Sequence, residues 1–86
     1  MRKILVCEDE DAIRDFVVIN LQRSGYSVSA VPSGEEALSL FEECGGDFDA
    51  VLLDIMMGGI DGFTVCKKIR ELSGTVGVIM LTAKTQ

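Results

Sequence analysis

Positive charge is scarce in this sequence. Lys and Arg number 8 against 14 Asp and Glu, a formal net charge of −6. Gripping phosphate takes clustered cations, so the balance argues against binding nucleic acid or an anionic membrane. The one basic cluster, Lys67, Lys68 and Arg70, falls at helical spacing and reads as a solvated helix face. Cysteine is sparse and odd in number: Cys7, Cys44 and Cys66 show no C-x-x-C spacing, which excludes a disulfide framework or a zinc site. Each lies in an apolar pattern, so each is expected to be a small buried hydrophobe in a reducing compartment. Long apolar runs are missing too. Arg2 and Lys3 are followed by only 4 apolar residues before the acids begin, too few for a signal peptide or a membrane span. A cytoplasmic protein is expected, and 86 residues leave room for one domain.

What is present is an alternation of short apolar runs with amphipathic windows, without repeats or low-complexity segments. Ile4 to Cys7 is continuously apolar, as a strand buried on both faces must be. Ile13, Phe16, Val17, Asn20, Leu21 and Ser24 then recur at helical spacing, and Gly25 stops the helix. Tyr26 to Val31 reads as a weaker, more polar strand. Ser33 and Glu36 form a capping box, opening a helix with Ala37, Leu38 and Phe41 that Gly45 and Gly46 end. AVLL, Ala50 to Leu53, is a third strand. Asp61 can cap a third helix with Phe63, Cys66, Ile69 and Leu72 on one side, and VGVIML, Val76 to Leu81, is a fourth strand. The order βαβαβαβ implies a three-layer, doubly wound parallel α/β sheet with right-handed crossovers. Two strand orders are common for such sheets, 3-2-1-4 and 2-1-3-4.

The stretch CEDED, residues 7–11, sets four carboxylates directly behind the first strand. Parallel strands all end on one side of the sheet, where ligands bind. In the 2-1-3-4 order the first and third strands are neighbours, roughly 4.8 Å apart, and Glu8 and Asp9 meet Asp54. Three such charges cannot all stay ionised without a cation. An oxygen-only set without His or Cys suits Mg²⁺, which keeps waters and leaves positions for phosphate oxygens. Glu10 and Asp11 instead begin the first helix, where negative charge meets the N-terminal dipole.

ILVCEDED, LLDIMMGGIDG and VIMLTAK together resemble the receiver domains of bacterial two-component response regulators. The resemblance covers the whole chain in order and implies the flavodoxin-like order 2-1-3-4. It implies that Asp54 is the phosphoacceptor, that Asp9 assisted by Glu8 holds Mg²⁺ with the Met56 carbonyl as a further ligand, and that Thr82 hydrogen-bonds the phosphoryl group. The implied partner is a small phosphodonor or a sensor histidine kinase, the kinase docking on the first helix where Arg14, Asp15 and Gln22 are expected to be exposed. The implied role is signalling rather than enzymatic.

The sequence departs from that family in three places. Gly58 stands where the family usually has proline, and Gly77 where it often does. Residues 1–86 are expected to be a receiver incomplete at its C-terminus, with strand 5 and its flanking helices missing. The family's strand-5 lysine and aromatic residue are then absent: Lys84 and Tyr26 do not stand in for them. The bare edge of the fourth strand, uncharged in VGVIMLTA, is expected to favour self-association or a complementing segment. Two other readings compete, an inert structural fragment and an aspartate-nucleophile phosphatase. The second acid such a phosphatase needs, two residues after its nucleophile, is here Met56.

Overall fold

Ile4 to Cys7 lie in the one strand that has its successor in the chain on one side and a later strand on the other. In the computed structural model, which describes residues 2–55 and 60–81, the elements are β1 (Lys3–Cys7), α1 (Asp11–Arg23), β2 (Ser27–Val31), α2 (Gly34–Glu43), β3 (Ala50–Asp54), α3 (Gly62–Leu72) and β4 (Gly77–Leu81). Every pairing is parallel and the sheet order is β2-β1-β3-β4, which selects the second of the two arrangements. There is no fifth strand among the described residues. The predicted Met56 and Thr82 site positions, with Gly58 and Lys84, lie outside the described residues.

Alternation along the strands sorts the core. Leu5 and Cys7 of β1 and Val51 and Leu53 of β3 point to the same side, where they pack with Ala37 and Phe41 of α2 and Val65 and Ile69 of α3. Phe41, Leu5, Leu53 and Ile69 are fully buried there, each such side chain contributing roughly 1.5–3 kcal/mol. Phe48 stacks on Phe41 at a centroid distance of 6.1 Å. On the other side α1 covers β1 and β2, and Ile4 and Val6 are buried. Leu52 and Ile79, register partners in β3 and β4, are less protected, and Ile79 is 52% exposed.

The helix ends follow their capping residues. Ser33 Oγ accepts the Glu36 N–H at 3.2 Å, and its hydroxyl also lies 3.3 Å from the Glu36 carboxylate. Asp61 Oδ1 accepts the Thr64 N–H at 2.8 Å. Gly45 and Gly46 leave α2 with φ of 64° and 75°, a left-handed turn that a side chain would resist. Lys3 ties the start of β1 to the approach to β3. Its N–H donates to Asp49 at 2.7 Å and its Nζ pairs with Asp47 at 2.6 Å.

Three expectations about burial need correction. Phe16 is 68% exposed and α1 has no fully buried residue. Its half-buried apolar stripe runs Ile13, Val17, Leu21 in steps of four, and Phe16 stands about 100° away from Val17 around the axis. In α3, Phe63 is 63% exposed and Leu72 is exposed as well, while Val65 and Ile69 are buried. Steps of three fall short of a full turn by about 60° each, so Phe63 and Leu72 lie about 180° apart. Of the cysteines, Cys7 alone is buried. Cys66 is half-buried, and Cys44 is exposed where α2 ends.

Candidate phosphoacceptor and metal site

The β1–β3 register aligns Cys7 with Leu53, so the residues that follow, Glu8 and Asp54, emerge side by side. Both strands are held past this point. The Glu8 N–H donates to the Val31 carbonyl at 3.1 Å, and the Ile55 N–H to the Leu81 carbonyl at 3.2 Å. Asp9 joins them from the β1–α1 turn. One carboxylate oxygen from each of Glu8, Asp9 and Asp54 lies within 4.8 Å of the other two, a set that could hold a metal ion.

Burial differs sharply within the trio. Glu8 is 1% exposed and Asp54 4%, whereas Asp9 opens to solvent. Burial is the main force pushing the Glu8 carboxyl above its ordinary range. The neighbouring Asp54, through its charge and a shared hydrogen bond, and the Asp9 charge push the same way. The Glu10 N–H, donating to Glu8 Oε2 at 3.1 Å, opposes them. Burial first, then the charges of Glu8, Asp54 and Asp9, lifts the Cys7 thiol to about 12. Two unit charges at such a separation repel by on the order of 3 kcal/mol at an effective dielectric near 20. A cation among the three carboxylates relieves that repulsion.

Two residues that pattern reading did not assign to this site also build it. Arg14, expected to be an exposed docking residue, has a side chain only 18% exposed. Its guanidinium donates to the Glu8 carbonyl at 2.9 Å and pairs with Asp11 at 2.5 Å. Asp15 and Gln22 are exposed as expected. Gly62, the first residue of α3, donates its N–H to the Ile55 carbonyl at 3.3 Å and sits against the Asp54 backbone. Periodicity carries no signal for either contact. The nearest hint is a glycine directly after the Asp61 cap.

The model of the response regulator receiver domain matches residues 4–86. The chain belongs to the response regulator receiver domain family. Among curated receiver-containing relatives, transcriptional regulatory protein ResD of Bacillus subtilis is 44% identical over 82 residues, covering 95% of this chain and 33% of ResD. The chain spans about a third of the length of the curated relatives it matches. The receiver TrrA of Thermotoga maritima, solved in complex with Mg²⁺–BeF, superposes with a TM-score of 0.91 at 41% identity, covering 99% of this chain and 72% of that one. TrrA solved in complex with the histidine kinase ThkA gives 0.88 at 41% identity, covering 100% and 72%. This receiver thus has the flavodoxin-like fold of its solved neighbours. Among its described residues, no helix is long and apolar enough to cross a membrane.

Proposed function

We propose that this receiver accepts a phosphoryl group on Asp54 from a sensor histidine kinase or a small phosphodonor, in a Mg²⁺-dependent reaction serving phosphorelay signalling in the cytoplasm. The observation that carries the reading is the meeting of Glu8, Asp9 and Asp54 within 4.8 Å at the ends of two adjacent parallel strands. Their all-oxygen donor set fits Mg²⁺, and Glu8, Asp9 and Asp54 would hold it. When bound, Mg²⁺ supplies charge neutralisation to the carboxylates and the incoming phosphoryl oxygens.

Asp54 provides the nucleophile. A carboxylate oxygen attacks phosphorus, the bond from phosphorus to the donor breaks, and its electron pair leaves with the donor, giving an aspartyl phosphate. β3 fixes the height of Asp54 in the sheet, and the register to β1 fixes its distance from Glu8. Asp9, the exposed member, leaves the site open to an incoming donor. Thr82 and the Met56 carbonyl complete the site in this reading, as phosphoryl hydrogen-bond donor and metal ligand. The TrrA complexes with Mg²⁺–BeF and with a histidine kinase support the cofactor and the partner. The role is that of a signalling phosphoacceptor rather than an enzyme.

Incubation with acetyl phosphate and Mg²⁺, followed by intact mass measurement, tests this. One phosphoryl mass should be gained, lost on mild alkaline treatment, and absent from Asp54→Ala. Label on Thr82 or Ser33, or undiminished labelling of Asp54→Ala, would overturn the assignment. No uptake at all would favour the inert-fragment reading, and multiple turnover of a phosphate ester the phosphatase.

Pairing of two copies across the β4 side also belongs to this reading. Ile79 is exposed in β4. Sedimentation at low micromolar concentration should show more than a monomer. A single monomeric species that unfolds cooperatively and binds no hydrophobic dye would remove the claim.

A further inference from the structure

The first turn of α3 lies directly against the phosphoacceptor's main chain. A methyl group built on the Gly62 Cα would meet the Asp54 carbonyl oxygen at 2.5 Å, the Ile55 Cα at 3.0 Å and the Asp54 carbonyl carbon at 3.2 Å. All three are backbone atoms, so no rotamer change relieves the overlap. Ordinary contact begins near 3.4 Å, so either the Asp54–Ile55 peptide or the helix start must retreat by about 0.9 Å from the nearest clash. The Gly62 N–H meanwhile donates to the Ile55 carbonyl, fastening the two segments at the point of closest approach. Asp61, one residue earlier, is anchored as the cap of the same helix.

We propose that Gly62 is a positioning residue for Asp54: its missing side chain lets α3 seat on the Asp54–Ile55 peptide and sets how far the Asp54 carboxylate stands from Glu8 and Asp9. This rests on the metal-site reading above and adds a determinant to it. The opposite end of the peptide is held by β4, through Ile55 N–H to the Leu81 carbonyl. The Asp54 main chain is therefore clamped between a strand and a helix end. Displacing one jaw by most of an ångström moves a carboxylate whose oxygen must stay within 4.8 Å of two others. Disturbing groups that orient metal ligands lowers metal affinity about 10–100-fold.

The test is a Mg²⁺ titration of the parent, Gly62→Ala and Ile69→Val, each at a temperature where it is fully folded. Ile69 is buried in the same helix, and its truncation costs stability without touching Asp54. The expected result is a Mg²⁺ dissociation constant raised at least about tenfold in Gly62→Ala and unchanged in Ile69→Val. Equal affinity in the parent and Gly62→Ala overturns this proposal alone. So does an equal loss in Ile69→Val, which would make the effect one of stability. A parent that binds no Mg²⁺ overturns the metal-site reading and this proposal with it. Should Gly62→Ala fail to fold, the parent decides by NMR. Mg²⁺ should shift the Gly62 and Ile55 amide resonances with one midpoint, and an unmoved Gly62 amide overturns the proposal.

Discussion

Arg14 reaches back six residues to donate a 2.9 Å hydrogen bond to the Glu8 main-chain carbonyl. The same guanidinium pairs with Asp11, whose side chain is 85% exposed. The two contacts differ in worth. A charged donor to a sheltered carbonyl contributes roughly 1.5–3 kcal/mol, and an exposed ion pair on a helix under about 1 kcal/mol. Arg14→Ala should therefore lose about 1.5–3 kcal/mol in denaturant unfolding, and Asp11→Ala clearly less. Equal losses would place the stabilisation in the ion pair instead.

Mg²⁺ should raise the melting temperature of the parent. A ligand at a hundred times its dissociation constant stabilises the folded state by about 2.7 kcal/mol. Asp9→Asn removes one of the three clustered carboxylates and should abolish that rise, while the relief of repulsion raises the metal-free midpoint. A Mg²⁺-induced rise as large in Asp9→Asn as in the parent would place the cation elsewhere.

Two phenylalanines should behave oppositely. Phe41 is 1% exposed and stacked on Phe48, whereas Phe16 is mostly exposed. Phe41→Ala should cost about 3–5 kcal/mol, a large fraction of the roughly 5–10 kcal/mol available to a small domain. Phe16→Ala should change stability by no more than about 0.5 kcal/mol. Urea unfolding monitored by circular dichroism distinguishes them, and a costly Phe16→Ala would show that the α1 face is covered in solution.

The Asp61 cap predicts a pH dependence of known sign. Accepting the Thr64 N–H holds its carboxyl below the ordinary 3.8. A depressed acid stabilises the fold above its unfolded value, and that contribution disappears as pH falls through the folded value. The difference in stability between the parent and Asp61→Ala should be full at neutral pH and shrink below about pH 3.8. Asp61→Asn, which keeps an accepting oxygen, should fall between them at neutral pH. A difference that stays constant through the acid range would refute the cap's ionic character.

Thiol chemistry should separate the cysteines. Cys7 is fully buried, with its thiol pushed up to about 12, and Cys44 is exposed. At pH 8 the thiolate fraction of Cys7 is on the order of 10⁻⁴. Under native conditions a maleimide should label Cys44 first and leave Cys7 untouched until the chain unfolds. Peptide mapping of briefly labelled protein reads this directly.

β1, β3 and β4 were legible because each is a short apolar run between turn residues. The trio Glu8, Asp9 and Asp54 was legible because carboxylates directly after buried strands stand out. Which face of each helix is buried was harder to read. In α1 and α3 the apolar residues outnumber those the sheet covers, so Phe16 and Phe63 fit the pattern yet face water. The roles of Arg14 and Gly62 were hidden for a different reason. One depends on a contact between a side chain and a carbonyl across a turn, the other on empty space beside a backbone from another element. Neither leaves a mark in hydrophobic spacing.

The strand order has a consequence for synthesis on the ribosome. β1 can pair with β2 as soon as residues 27–31 emerge, but its other edge waits for β3, since Ile4 pairs with Ala50. At about 5–20 residues per second, the 45 intervening positions take roughly 2–9 s to translate. For that interval the most apolar strand of the nascent chain presents an unfilled row of peptide groups. Its shelter depends on a segment not yet made.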